Sequence, residues 1–367
     1  MSGAPRPTRC QACGPCLARA WLLRRLSGHL EIVRGRVTDV LALSNDELIA
    51  ALAGRHEQEV AAEVRTLDLA RLRDEAAEAA LDAICLCDPA YPIRLRALPR
   101  PPSVLYVAGG LDRALGLLAN ESVAIVGARR ASGYGLEVAR SLARGLGAAG
   151  VTVVSGMALG IDSAAHAGAL ATDGSTVAVL PGGADRPCPP SRRALYGRII
   201  STGAVVSELP PGTPAGRWGA PARNRIIAAL ATMAVVVEAA PGSGALLTAA
   251  HARSLGRPLG AIPGRVNSAL SAGPNELLRS GASLIRGPHD VLDELFGPGT
   301  ITSAGRLRPP LSAELERLLG AIGEGYDTVG ALTRTGFAAE RVLAALSELE
   351  LGGYVRREPG GSFVVLS

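Results

Sequence analysis

Three glycine-rich turns stand where short apolar runs give way to helical stretches, and arginines stand in or near them. The first is Gly127-Ala-Arg129-Arg130-Ala-Ser-Gly-Tyr-Gly135, the second Ser155-Gly156-Met-Ala-Leu-Gly160-Ile-Asp162, and the third Pro241-Gly-Ser243-Gly244. Glycine lets backbone N–H groups approach an anion, and the positive end of the following helix points the same way. Arg223-Asn224-Arg225 opens a further helix ahead of Ile226-Ile227. Guanidinium forks match phosphate oxygens. Several anion-ready turns on one sheet edge suit a ligand carrying several phosphates. Asp162 and His166 lie four residues apart on one helix face, the spacing of an acid–base pair. An acidic residue at a helix start is also a plain stabiliser, and a helical histidine is ordinarily a packing residue.

Other chemistry is excluded or weakened. All 38 basic residues are arginine, because the 367-residue chain contains no lysine. That removes the P-loop lysine and every Schiff-base or pyridoxal phosphate mechanism. The first turn lacks the G-x-G-x-x-G spacing, and the second strand ends without an acid for a ribose hydroxyl, so NAD or FAD is not expected. Aromatic residues make up 3% of the chain, too few for a surface built on stacked bases. The net charge of +5 permits a polyanion without demanding one.

Cys10-Gln-Ala-Cys13-Gly-Pro-Cys16 has ligand-like spacing for zinc or an iron–sulfur cluster. It supplies three local thiols, and a fourth ligand would have to come from Cys85, Cys87 or His29. We read the run as a reduced tail without metal. Six cysteines in a chain of this length do not form a secreted disulfide framework. Neither a signal peptide after Met1–Thr8 nor a membrane span is legible, so a cytoplasmic protein with no membrane partner is expected.

The elements that must hold these residues follow from periodicity. Leu17 to about Ala83 reads as helical, with Ser44-Asn-Asp-Glu47 as a helix start. Prolines punctuate 88–103. Val104–Val107, Val123–Val126, Val151–Val154, Thr176–Leu180, Ala204–Val206, Ala234–Val237, Pro258–Ile262 and Ser283–Ile285 are short apolar runs. From 122 onward they alternate with helices, which predicts a doubly wound, Rossmann-like α/β domain with a parallel sheet. The expected organisation is a cysteine-containing tail over 1–16, a helical domain over 17–87 and a connection over 88–103. The Rossmann-like domain follows over 104–296, then a linker over 297–310. Helices at 312–322, 328–334 and 338–351 and a hairpin to Leu366 predict a C-terminal winged helix over 311–367. Such a domain serves DNA or protein contacts alike.

Taken together, the glycine turns, Arg223-Asn-Arg225-Ile-Ile227, Ile262-Pro-Gly264 and Gly273-Pro-Asn275 resemble the DNA-processing protein A (DprA/Smf) family, in order over about 120–290. The resemblance implies a non-enzymatic mediator, without cofactor, that binds single-stranded DNA and dimerises. It also implies loading of the RecA recombinase on incoming DNA during natural transformation. It places Arg129, with Arg130 beside it, on DNA phosphate, and Gly127, Ser155, Gly156, Ser243 and Gly244 around the same pocket. Arg223, Asn224 and Arg225 form a basic rim in that reading. Ala128 stands where the family usually has serine, Leu159 where arginine is frequent, and Ala220 where phenylalanine precedes the proline. The basic residue expected near Cys188-Pro189 falls to Arg192 or Arg193. Pro181-Gly182-Gly183 leaves a phosphoribohydrolase-like enzyme as the rival reading, although the Gly-Thr and later glutamate of that motif are absent.

Overall fold

The computed structural model describes Cys10 and residues 12–172, 176–298, 311–351, 354–358 and 360–365. Residues 1–9 of the expected tail, 299–310 of the expected linker, and Gly352-Gly353 and Leu366 of the expected hairpin lie outside this set.

The β-branched apolar runs form one nine-stranded sheet. Its strands are β1 (Asp82–Cys85), β2 (Val104–Ala108), β3 (Ser122–Val126), β4 (Thr152–Ser155), β5 (Thr176–Val179), β6 (Ala204–Ser207), β7 (Met233–Val236), β8 (Leu259–Ala261) and β9 (Ser283–Leu284). The spatial order is β1-β2-β6-β5-β4-β3-β7-β8-β9. From β6 to β9 every pairing is parallel. The chain winds outward from β3 through β4, β5 and β6, then returns to place β7 on the other side of β3. That reversal is the topological switch point at which open α/β sheets bind ligands.

Both faces of the sheet are covered, so the strands are continuously apolar rather than alternating. Val123 and Ile125 of β3 pack under α2 (Gly133–Ala148) and α3 (Ile161–Ala169). Ala124 and Val126 face the opposite cluster, under α4 (Gly219–Leu230) and α5 (Gly244–Ser254). The N-terminal helices, beginning with α1 (Gly14–Arg25), gather around Leu22, Leu26, Leu30 and Leu48. They bury Trp218 among them, and the Trp218 backbone N–H donates to Glu31 at 3.1 Å. This helical block is therefore packed onto the sheet domain, and 12–298 share one compact unit.

Two features depart from the expectation. Residues 82–85 form an edge strand rather than the end of the helical stretch, and β1 and β2 add antiparallel to the parallel sheet. The expected tail over 1–16 is also structured where described. Cys10 bridges to Ala83, and Gly14 begins α1.

The second unit consists of helices Ala313–Gly323, Val329–Arg334 and Ala339–Leu351 with a hairpin of β10 (Val355–Arg357) and β11 (Phe363–Val365). Leu318, Leu332, Val342, Leu346 and Phe363 form its own core. Residues 311–367 expressed alone should therefore melt cooperatively by circular dichroism. Leu332→Ala should cost that fragment about 2–5 kcal/mol, enough to abolish the transition in a domain this small.

Candidate nucleic-acid interface

The site is built at the carboxyl ends of β3, β4, β5 and β7. The Ala128 N–H donates to the Glu238 carbonyl at 2.7 Å, and the Ile161 N–H donates to the Ala128 carbonyl at 3.2 Å. These two bonds pin the first glycine turn between the end of β7 and the start of α3. Gly160 has φ +78°, and a Cβ there would stand 2.2 Å from the Ala128 carbonyl oxygen. Only glycine fits that crossing.

Beneath the turns lies a buried polar layer. Arg223, on α4, is 7% exposed. Its guanidinium donates to the carbonyls of Gly156 and Val179 and pairs with Asp162 at 3.7 Å. A Cβ on Gly156 would strike that guanidinium. Burial pushes the Asp162 carboxyl up and the Arg223 guanidinium down, and each partly holds the other charged. Asn224 donates to the Gly244 carbonyl at 3.0 Å. Arg225 pairs with buried Glu208 and donates to the Arg100 carbonyl at 3.0 Å, pinning the proline-rich connection. The Arg223-Asn224-Arg225 cluster is therefore not the exposed basic rim expected from its place at a helix start. The helix turns all three side chains inward, where they hold strand ends, the third glycine turn and the proline-rich connection.

Two of the three anion-ready turns are neutralised from within. Glu238, at the end of β7, accepts from the Ser132 N–H at 2.9 Å and from the Ser132 hydroxyl at 2.5 Å. It thereby occupies the start of α2. Asp162 takes the corresponding place at α3, accepting from the Ala158 N–H at 3.4 Å. At the third turn Ser243 caps α5, accepting from Ala245 at 3.4 Å, and exposed Gly242 and Gly244 leave the backbone approachable. Ser155 is fully buried and its hydroxyl donates to the Ile125 carbonyl at 2.6 Å, so it joins strands rather than facing outward.

The Asp162–His166 pair does not assemble either. The Thr176 hydroxyl donates to the Val153 carbonyl at 2.9 Å, so at 2.7 Å it accepts from His166 Nδ1. Burial pushes the His166 pKa down from 6.5 to about 3. A neutral, enclosed imidazole directed at Thr176 is a packing residue.

What remains outward is arginine. Arg129 and Arg130 are exposed, and neither has a side-chain hydrogen bond or ion pair among the described residues. They open onto a cleft of about 550 Å³ that Arg140, Arg192 and Arg198 also line and to which no acid among the described residues contributes. Leu159 lies in the same cleft, and Arg192, not Arg193, supplies its basic residue from beyond Cys188. Arg140 and Arg198 carried no signal in the sequence, because each stands alone on a helix. Only the packing of α2, α3 and helix Arg193–Thr202 brings them to Arg129.

A parallel sheet covered on both faces, with an arginine-lined cleft beside its first glycine turn, places the chain in the doubly wound, Rossmann-like α/β class. Residues 82–296 match the family described as DNA recombination-mediator protein A, and residues 302–361 match the DprA winged helix domain. The chain belongs to the DNA recombination-mediator protein A family. It is 41% identical over 276 residues to a DNA processing protein DprA of Mycobacterium tuberculosis, covering 73% of this chain and 70% of that one. It is 35% identical over 280 residues to the protein Smf of Escherichia coli, covering 74% of each. The X-ray structure of DprA from Streptococcus pneumoniae superposes with a TM-score of 0.62 at 32% identity, covering 76% of this chain and 95% of that one. A DprA structure from Helicobacter pylori, described for its single-stranded DNA binding mode, gives 0.52 at 31% identity, covering 58% and 95%.

The burial pattern separates two kinds of arginine by stability. Arg223→Ala strands Asp162 and two carbonyls and should cost about 3–5 kcal/mol in urea unfolding, whereas Arg129→Ala should stay within about 0.5 kcal/mol of the parent. His166 gives a pH signature. Between pH 6.5 and 3 the unfolded chain binds a proton that the folded chain refuses, so stability is full above 6.5 and falls toward 3. Unfolding free energies of His166→Gln measured from pH 7 to pH 4 should decline less steeply than those of the parent.

Proposed function

We propose that this chain is a single-stranded-DNA-binding recombination mediator that assists loading of RecA on incoming DNA during natural transformation. It acts in the cytoplasm as a homodimer and catalyses no reaction. The observation that carries the reading is the cleft beside the turns that follow β3 and β4. Arg129 and Arg130 stand in it exposed and unpaired among the described residues, on the turn through which the family resemblance runs. The single-stranded DNA described for the Helicobacter pylori relative is a ligand of complementary charge. Gly127, Gly156, Ser243 and Gly244 serve by keeping the turns close to the backbone. Arg223, Asn224 and Arg225 serve by holding those turns, and Ser155 by joining β4 to β3.

The phosphoribohydrolase-like alternative draws no support from its own motif. The Pro181-Gly182-Gly183 turn is buried, the Gly183 N–H donates to the Thr213 carbonyl at 2.9 Å, and the segment through Ala215 covers Gly182. A phosphate has no approach there.

Phosphate-led binding should show little sequence preference and a strong salt dependence. Binding of unstructured oligonucleotides across a salt series should give Arg129→Ala a weaker affinity. Its log–log slope should be shallower by about 0.7 for each phosphate that the guanidinium neutralises in the parent. Unchanged affinity in Arg129→Ala would remove the cleft from the interface. RecA filament growth on strands coated with single-strand-binding protein should be faster with the parent chain present, and no acceleration would leave DNA binding alone.

A further inference from the structure

The cysteines lie outside everything described for the cleft. Cys13 and Cys16 stand at the start of α1, as N-cap and first-turn residue, and Cys85 ends β1 with Cys87 two residues later. The fold brings all four sulfurs within 4.8 Å of one another. We propose that Cys13, Cys16, Cys85 and Cys87 form a structural zinc site that fastens the start of the chain to the edge strand of the sheet.

The distances fit a single tetrahedral ion. Four thiolates at a Zn–S bond of about 2.3 Å place neighbouring sulfurs about 3.8 Å apart, the edge of the tetrahedron. Cys13 and Cys16 each lie 3.8 Å from Cys87. A disulfide requires about 2.05 Å, and no pair has closed to it. A four-iron cluster holds each thiolate on a different metal atom, which spreads the sulfurs wider than one ion does. Four protein ligands close the coordination sphere and leave no position for water or substrate, so the ion would hold structure and do no chemistry.

The surroundings suit a thiolate centre. The Cys13 N–H points at Cys85 Sγ at 3.5 Å, a donor for a charged sulfur, and the positive end of α1 faces the cluster. Ala12, Cys16, Leu17 and Ala20 pack against Leu81, Ala83 and Tyr106 around it, so the ligands sit on elements already fixed by an apolar core. Cys10 is not a ligand. It makes the β-bridge to Ala83, so the start of the chain supplies two sulfurs, Cys13 and Cys16, and the Cys-x-Cys pair Cys85-Leu-Cys87 supplies the other two. An edge strand of four residues, paired with β2 along one side and held by the single Cys10–Ala83 bridge on the other, gains a further anchor from such a site.

The full chain, purified without chelator, should carry about one zinc per molecule by elemental analysis. Cobalt(II) added to the metal-stripped protein should give the visible d–d bands and near-ultraviolet thiolate charge transfer of a tetrahedral sulfur site. Cys87 is exposed, so Cys87→Ser should fold. Its zinc affinity in competition with a chromophoric chelator should be at least about tenfold weaker. Cys10→Ser should retain the parent's affinity, and chelator should lower the melting temperature of the parent by more than that of Cys87→Ser. Protein that binds no zinc, that carries iron in its place, or that isolates from reducing buffer with these sulfurs oxidised would overturn the site. So would a Cys87→Ser variant with undiminished zinc affinity.

Discussion

One buried guanidinium organises the end of the sheet. Arg223 reaches from α4 to the carbonyls that close β4 and β5, and its charge is met by Asp162 on α3. A charge is expensive to bury unless it is paired and hydrogen-bonded, and here both conditions are supplied by elements that must be in place at once. Gly156 has no side chain because the guanidinium occupies that space, and Asn224 and Arg225 extend the same layer to α5 and to the proline-rich connection. The turns that face outward are shaped by this layer. Their glycines are needed as much for the close approach of protein to protein as for that of a ligand.

The electrostatics have two levels. Inside, Glu238 and Asp162 fill the helix starts that would otherwise draw an external anion, and Glu208 balances Arg225. Outside, Arg129 and Arg130 are left unmatched, with Arg192 and two partly engaged arginines around the same cleft. A chain of net charge +5 can thus present a local positive surface, because the acids buried near the site, Asp162, Glu208 and Glu238, face inward. Arginine suits both levels. Its fork satisfies several carbonyls when buried and grips phosphate oxygens when exposed, whereas an ammonium resists losing its water.

The central strands were legible because their signal is local. Val123–Val126 and Ala234–Val237 read as buried strands and are buried on both faces. The edge was not legible. Asp82–Cys85 follows an amphipathic helix without a glycine or proline to mark the change, and its pairing with β2 is a long-range matter of register. The winged helix was readable from its three helices and hairpin, since its core is contained within its own short stretch.

The site divides along the same line. By itself the sequence determined which residues could meet an anion, where the glycine turns fall, and that no lysine chemistry is available. It could not determine which arginines face water. Arg129 and Arg223 look alike as basic residues near a turn or helix start, yet one is exposed and the other is enclosed by the ends of β4 and β5 and by Asp162 of α3. Burial is a property of everything packed around a side chain, and most of what surrounds Arg223 lies some 45 to 70 positions away in the chain. The cysteines make the same point from the other direction. Cys10, Cys13 and Cys16 were visible as a run of three, but the grouping of Cys13 and Cys16 with Cys85 and Cys87, without Cys10, depends on an edge strand that only the assembled sheet brings to α1.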